Sequence, residues 1–162
     1  MRALPRVFAA GTALVLVIGL SGCSWFGGGH KSKTTSVSVF KVKPGDCFVA
    51  PKDVKAELSK LSKTPCTVAH TQEAYAIVPF ASATGATASA YPGADALTTF
   101  AQGACAQRYG GYVGVDYLDS SLFFTYLLPS ARGWEQDSDN DVLCFVETTG
   151  AKLTSTVKGS KK

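Results

Sequence analysis

The chain has 162 residues, of which 46% are apolar and 17% are charged, so it suffices for one domain with a packed core. Its 16 basic and 12 acidic side chains give a net charge of +4, which falls to +2 (14 minus 12) once the first 22 residues, with two arginines, are set aside. A net charge this close to zero gives little electrostatic support for nucleic-acid binding, and we expect no nucleic-acid partner.

The first 22 residues have the layout of a secretory signal peptide. Arginines precede an uncharged, largely apolar run, 7–20, that is too short to cross about 30 Å of hydrocarbon. The following "LSGC", residues 20–23, resembles the lipobox of bacterial lipoproteins, in which the cysteine receives a diacylglyceryl group and becomes the new N-terminus. We therefore expect removal of residues 1–22 and a lipid-bearing Cys23 with fatty chains such as palmitate. The alternatives are an uncleaved anchor and a plain signal with Cys23 left as a free thiol.

The beginning of the remaining chain predicts a linker and then strands. Residues 23–36 are rich in glycine and small polar residues, which predicts a flexible segment. The alternating valines of 37–49, interrupted by a Pro-Gly-Asp turn at 44–46, predict strand structure. Apolar residues at helical spacing predict one or two helical turns over 53–62, and a second strand is predicted around 72–79.

The second half of the chain contains the clearest helix. Apolar residues recur on one stripe over 94–109, and the two glycines that follow predict its end. The nearly all-apolar stretch 121–129 predicts a central strand buried on both faces. A last strand is predicted over 141–148, with alternate apolar residues on one face.

This order of elements predicts an α+β fold. One small domain over residues 37–150 would consist of an antiparallel sheet with one main helix packed on it. The lysine-rich segment 151–162 is predicted to be a solvated basic tail, and weak contact with anionic lipid or wall polymer is its alternative.

Apart from Cys23, the chain has four cysteines, an even number that predicts two disulfides in an exported domain. No close Cys-x-x-Cys pair is present, so we expect no zinc site. Four cysteines allow three pairings. We favour Cys105–Cys144, which would join the helix stripe to a strand face, with Cys47–Cys66 as the second bridge.

The chain offers few candidates for catalysis. His70 is the one histidine in the predicted domain, and Glu73 follows three residues later. We expect His70 to be a turn or surface residue, and we predict no catalytic residue and no cofactor, because no nucleophile, metal or nucleotide motif accompanies it. The alternative is an envelope hydrolase or ligand-capturing enzyme centred on His70 and Glu73, with Asp46 nearby.

Two further features are candidates for binding. The acidic "DSDND", residues 137–141, resembles a calcium loop, but Val142 and Thr148 stand where an EF-hand has glycine and glutamate. We therefore expect a solvated turn, with an adventitious cation site as the alternative, and no dedicated metal site. Trp134 would either line a binding groove or, as we favour, cap the core.

Four short stretches occur in a recognisable order. They are "FKVKPGDCF" (40–48), "PCTVAHTQEAY" (65–75), "YPG" (91–93), and a tryptophan upstream of the last cysteine. Together they resemble the septum-formation domain of exported lipoproteins and membrane proteins of actinobacteria, over roughly residues 38–150. The family's recurring features fall here on Gly45, Asp46, Cys47, Pro65, Cys66, His70, Glu73, Trp134 and Cys144.

One stretch departs from the family pattern. Members often carry Gly-Asp-Arg between the tryptophan and the last cysteine, where this chain has "EQDSDND", residues 135–141. The resemblance implies a link to cell division and no enzyme class. We therefore expect a lipid-anchored, non-catalytic binding or scaffold module on the outer face of the cytoplasmic membrane. Its partner would be an envelope or division protein, and His70, Glu73 and Trp134 are the candidate binding residues.

Overall fold

Four strands precede the main helix and two follow it, an order close to the predicted one. The computed structural model describes residues 34–52, 58–82, 85 and 88–162. The predicted signal peptide, Cys23 and most of the linker lie outside these residues. The elements are β1 (Thr35–Ser38), β2 (Cys47–Val49), β3 (Lys60–Thr64), β4 (Gln72–Pro79), α1 (Ala94–Val113), β5 (Phe123–Leu127), α2 (Ala131–Asp137) and β6 (Asp141–Glu147), with 3-10 turns at Val39–Lys41 and Tyr117–Asp119.

The strands of the described residues form one antiparallel sheet in the order β1-β3-β2-β4-β6-β5. Strands β4 and β6 lie within a residue of their predicted bounds and pair from Gln72–Glu147 to Pro79–Asp141, with one irregularity between Ala74 and Ala76. The helix α1 packs on one face of this sheet. The predicted α+β fold, with one sheet and one main helix, is confirmed.

Strand β6 is buried on both faces. Val142, Cys144 and Val146 join α1 in the larger core cluster, which confirms the face predicted for them. Leu143 and Phe145 point to the other face and join a second cluster with residues of the N-terminal strands. The sheet is therefore covered by the helix on one side and by the first third of the chain on the other.

The first strands are interrupted by the predicted turn. β1 begins at Thr35, inside the segment predicted as linker, and a 3-10 turn divides the stretch 37–49. Gly45 has a φ of +93°, a conformation that glycine adopts without strain. The backbone N–H of Asp46 donates to the carbonyl of Lys43 at 3.0 Å. The prediction of a tight turn here is confirmed.

The prediction of helical turns over 53–62 is wrong for 58–62, the part of this range that the structure describes. Residues 58 and 59 are irregular, and β3 begins at Lys60. β3 pairs with β1 on one side and β2 on the other. Leu61, which fitted a helical spacing, is instead an inward-facing strand residue of the second cluster. Pairing on both sides outweighs a weak local helical pattern.

The helix α1 starts where predicted for 94–109 but continues for another turn. The two glycines after Tyr109 do not end it, because Tyr109 and Val113 continue its fully buried stripe. Packing of that stripe outweighs the cost of about 1 kcal/mol for each helical glycine. The helix ends at Gly114, whose φ is +91° and whose N–H donates to the carbonyl of Gly110. Within the described ranges, no helix is both long and apolar enough to span a bilayer.

The stretch 121–129 does contain a strand, but the prediction of a central, doubly buried strand is wrong. β5 lies at the edge of the sheet and its residues are half-buried or exposed. Phe124 and Tyr126 pack toward α1, whereas Phe123 on the other face is 50% exposed. An apolar run does not by itself distinguish an edge strand from a central one.

The segment 151–162 packs on the domain, and the prediction of a solvated tail is wrong for its backbone. Leu153 is buried and forms an antiparallel bridge with His70. Val157 is buried in the larger core cluster, and the Lys161 N–H donates to a carbonyl of α1 at 2.9 Å. Apolar residues spaced among the lysines hold the segment in place.

Both predicted disulfides are present. Cys47 of β2 is bonded to Cys66, with a Cα–Cα distance of 5.2 Å. Cys105 of α1 is bonded to Cys144 of β6, with a Cα–Cα distance of 5.6 Å, and joins the helix to the sheet. Their sequence separations of 19 and 39 residues correspond to stabilisation of about 3 and about 4 kcal/mol in the chain-entropy model.

Candidate functional site

Glu73 is a fully buried carboxylate on the face of β4 that packs against α1. Its Oε1 accepts hydrogen bonds from Tyr112 Oη at 2.5 Å and Thr156 Oγ1 at 2.6 Å. Its Oε2 accepts one from the backbone N–H of Val157 at 2.8 Å. These three hydrogen bonds compensate for the burial of the carboxylate, which forms no ion pair within the described residues. Glu73 therefore fixes the C-terminal segment to the sheet and helix.

Tyr112 supplies one of those donors from the last turn of α1. Burial raises the pKa of its hydroxyl above the usual value near 10, and the hydrogen bond to Glu73 raises it further. The phenol is thus neutral at physiological pH and keeps donating to the carboxylate.

His70 is also fully buried, so its predicted place at a turn or on the surface is wrong. Its Nδ1 lies 2.7 Å from the carbonyl oxygen of Val68, which can only accept, so Nδ1 carries a proton and donates this hydrogen bond. Its backbone exchanges two hydrogen bonds of 2.9 Å with Leu153. Within the described residues its Nε2 has no hydrogen-bond partner. Through these backbone contacts His70 helps to hold the C-terminal segment on the domain.

Asp46 has a separate structural role. Its carboxylate accepts the Lys43 N–H at 3.1 Å and forms an ion pair with Lys63 at 2.5 Å, so it holds the turn before β2. His70, Glu73 and Asp46 each bond to backbone or to neighbouring side chains, and no hydrogen bond joins His70 to Glu73 in the described part of the chain. In the described part of the chain the three residues thus make separate contacts.

One group of potential metal ligands occurs beside Glu73. The sulfurs of Cys47 and Cys66 and a Glu73 oxygen lie within 4.8 Å of one another. The two sulfurs are bonded to each other, and the Glu73 oxygens already accept three hydrogen bonds. The group therefore has no thiolate to offer a metal ion.

Trp134 lies on α2, a seven-residue helix that the sequence analysis did not predict. It is 7% exposed, and its ring meets those of Phe80 and Tyr91 edge-on at 5.7 and 6.1 Å. The favoured interpretation, that Trp134 caps the core, agrees with this packing. A signal for the helix was present in Ser130, whose hydroxyl caps it by accepting the Gly133 N–H at 2.9 Å.

The acidic stretch 137–141 is the turn between α2 and β6. Ser138 has a φ of +56° and caps the helix, and the Asp139 N–H donates to the carbonyl of Gly133 at 3.0 Å. Asp141 is the first residue of β6. The predicted turn before the last strand is present, and its carboxylates lie beside a cavity.

That cavity is a groove of about 380 Å³ on the sheet face opposite α1. It is lined by apolar side chains of the first 3-10 turn, of the residue that follows that turn, and of β4, β5 and β6, namely Val39, Phe40, Val42, Ile77, Leu127 and Leu143. Phe40 in this lining is 55% exposed although it is large and apolar. No local pattern in the sequence indicates the groove, because its lining comes from residues more than 100 positions apart.

The groove has an acidic rim. Its charged lining residues are Arg132, Asp137, Asp139 and Asp141, a formal charge of −2. Arg132 and Asp139 both have interaction partners. No ion pair is formed by Asp137 or Asp141 within the described residues. The arrangement suits a ligand with an apolar part and a positive charge.

The fold and these contacts define a small α+β domain with two disulfides and an apolar groove with an acidic rim. The family model described as septum formation matches residues 44–161, which are 118 of the 162 residues. The chain belongs to this family, as its motifs predicted. The match extends beyond the predicted boundary at 150 and includes the segment held by Glu73. Comparison with curated proteins and with solved structures gave no match.

Proposed function

We propose that this chain is an exported lipoprotein, anchored through Cys23 to the outer face of the cytoplasmic membrane, whose domain binds a protein partner at the cell envelope during septum formation. Membership of the septum formation family supports the link to the septum. The observation that carries the binding role is the groove, a concave apolar surface with a partly exposed aromatic wall.

Two features support export. The chain begins with a basic, then apolar segment that ends on the lipobox-like residues 20–23. The domain also has two disulfides, which form and persist outside the reducing cytosol. Two acyl chains would anchor such a protein stably, whereas one chain binds membranes only marginally.

A binding role without catalysis is supported by what the polar candidates do in the fold. Glu73 and Asp46 are occupied by hydrogen bonds that hold the C-terminal segment and a turn. Neither residue lines the groove, and His70 does not line it either. The chemistry that the groove offers is apolar contact and negative charge.

Photocrosslinking in intact cells tests this function. A photoreactive residue at Phe40, in the groove wall, should capture an envelope protein, and the same residue at Leu118, which is 77% exposed and outside the groove, should not. A Cys23→Ala chain should carry no acyl group and should retain residues 1–22, because cleavage at a lipobox depends on the lipid-bearing cysteine. Equal crosslinking from Phe40 and Leu118, or a parent chain that does not begin at a lipid-bearing Cys23, would contradict the proposal.

One observation favours the alternative of an envelope hydrolase or ligand-capturing enzyme, the buried Nε2 of His70 without a partner. A His70→Asn chain tests it, because asparagine can retain a polar contact near Val68 but cannot act as a base at Nε2. Loss of cellular function with unchanged thermal stability would support a catalytic His70. Parallel loss of stability and function would support the structural role seen in the bridge to Leu153.

A further inference from the structure

The outer edge of β5 is an unprotected sheet edge. No strand of the described residues pairs with it, and its sequence Phe-Phe-Thr-Tyr-Leu contains neither a charged residue nor proline, the devices that usually prevent pairing at an edge. Apart from the ladder with β6, the described backbone forms no hydrogen bond with residues 123–127. The outward N–H and C=O groups of β5 can therefore form hydrogen bonds with one more strand.

This edge leads directly into the groove. Leu127, the last residue of β5, is part of the groove lining. Side chains alternate along a strand, so Phe123 and Thr125 share the face of Leu127. Phe123 is 50% exposed on that face. A strand added to β5 would place every second side chain over the same face, next to the groove.

The volume and charge of the groove indicate which side chains an added strand would have. A volume of about 380 Å³ is near the lower end of ligand pockets, about 300–1,000 Å³, and suits one or two side chains rather than a helix. The groove lining has a formal charge of −2, and Asp137 is exposed at its rim without a cationic partner in the described residues. Apolar contact and positive charge together complement this surface.

We infer that β5 and the groove together bind an extended peptide segment in which apolar residues alternate with lysine or arginine. The backbone of this segment pairs with the outer edge of β5, an apolar side chain enters the groove against Leu127 and Leu143, and a cationic side chain lies near Asp137 and Asp141. This inference deepens the proposed function, on which it rests, by naming the chemistry of the partner.

A peptide titration tests the inference. The full chain in phosphatidylcholine vesicles is titrated with two labelled seven-residue peptides that alternate leucine with lysine or leucine with glutamate. The lysine peptide should bind at least tenfold more tightly than the glutamate peptide, and 0.5 M salt should reduce that ratio. Equal affinities, or equal binding of the lysine peptide to protein-free vesicles, would overturn the inference.

Matched variants locate the binding site. Asp137→Asn should weaken binding of the lysine peptide by roughly two- to fivefold, the range of an exposed ion pair, whereas Asp119→Asn, outside the groove, should have no effect. Phe40→Ser should weaken binding by roughly fivefold or more through lost apolar contact, and Leu118→Ser should not. Equal effects within either pair would overturn the inference. Thermal melts of all four variants establish that the fold is retained.

Hydrogen exchange tests the role of the strand edge. The outward-pointing backbone amides within residues 123–127 should gain protection on addition of the lysine peptide, because an added strand pairs with them, whereas the amides already paired with β6 should change little. Protection confined to other segments would overturn the inference. A chain that is isolated from cells without lipid on Cys23 but still binds the peptide at β5 would contradict the anchoring and leave the inference standing. An envelope crosslink from Phe40 without any peptide binding would contradict the inference and leave the proposed function standing.

Discussion

Replacement of Glu73 by alanine removes the acceptor of three hydrogen bonds from the centre of the fold. The donors are Tyr112, Thr156 and the backbone of Val157, at 2.5, 2.6 and 2.8 Å. A hydrogen bond to a charged group contributes about 1.5–3 kcal/mol, and part of this is recovered because the cost of burying the charge also disappears. The hydroxyls of Tyr112 and Thr156 can also find other partners, whereas the Val157 N–H stays buried. We therefore expect Glu73→Ala to lower the free energy of unfolding by about 3–5 kcal/mol.

Urea unfolding with the disulfides intact, together with amide exchange, measures this effect. Glu73→Gln retains an acceptor for Val157 and should cost about 1–3 kcal/mol, because neutral hydrogen bonds replace charged ones. Glu147→Gln is the matched control, because Glu147 is only partly buried and accepts from Gln72 at 3.2 Å; it should change stability by less than about 0.5 kcal/mol. In Glu73→Ala the amides of Val157 and Lys161 should exchange faster than in the parent. A loss below about 1 kcal/mol, or unchanged exchange at both amides, would refute the role assigned to Glu73.

Three further predictions concern other parts of the fold. Replacing both Cys105 and Cys144 by alanine should lower stability by about 4 kcal/mol in a thermal melt, and an unchanged melting temperature would contradict the link between helix and sheet. Gly111→Ala should raise stability by up to about 1 kcal/mol, because the added methyl group meets no atom within 4 Å beyond its chain neighbours and the backbone of α1 itself. Gly114→Ala should lower stability because of its φ of +91°, and equal effects of the two substitutions would refute the observed end of α1. Burial raises the pKa of Tyr75, so the folded state keeps its proton longer than the unfolded state, and stability should fall as pH rises above about 10, with a shallower fall in Tyr75→Phe.

Local patterns in the sequence were sufficient for the parts of the fold that depend on one element at a time. The predicted bounds of β4 and β6 were right to within a residue, and the helical stripe placed the start of α1 at Ala94. Of the three possible disulfide pairings, the one favoured because of the faces on which Cys105 and Cys144 lie is confirmed. These features are local because each depends on periodicity within about 20 residues.

The features that could not be predicted depend on how distant segments meet. β5 has the composition of a central strand, and only the order of the sheet places it at an edge. The end of α1 is set by packing of Val113, which outweighs the glycines before it. The seven-residue α2 is too short for a clear periodic signal.

The candidate site shows the same limit. The sequence identified Glu73, His70 and Trp134 as notable, but their roles depend on contacts with residues far along the chain. The groove joins Phe40 to Asp137, residues that no local pattern connects. Charge and apolarity at each position were visible in the sequence, whereas the concave surface that they form was not.

We propose that this domain works outside the cytosol and is anchored to the membrane by lipid. Intact-mass and peptide mass spectrometry of the protein, extracted from its membrane without reduction, measures this directly. We expect a chain that begins at Cys23, carries acyl groups on that residue, and contains no free thiol, because the other four cysteines are paired. A chain that begins elsewhere, an unmodified Cys23, or reactive thiols at the four paired positions would contradict it.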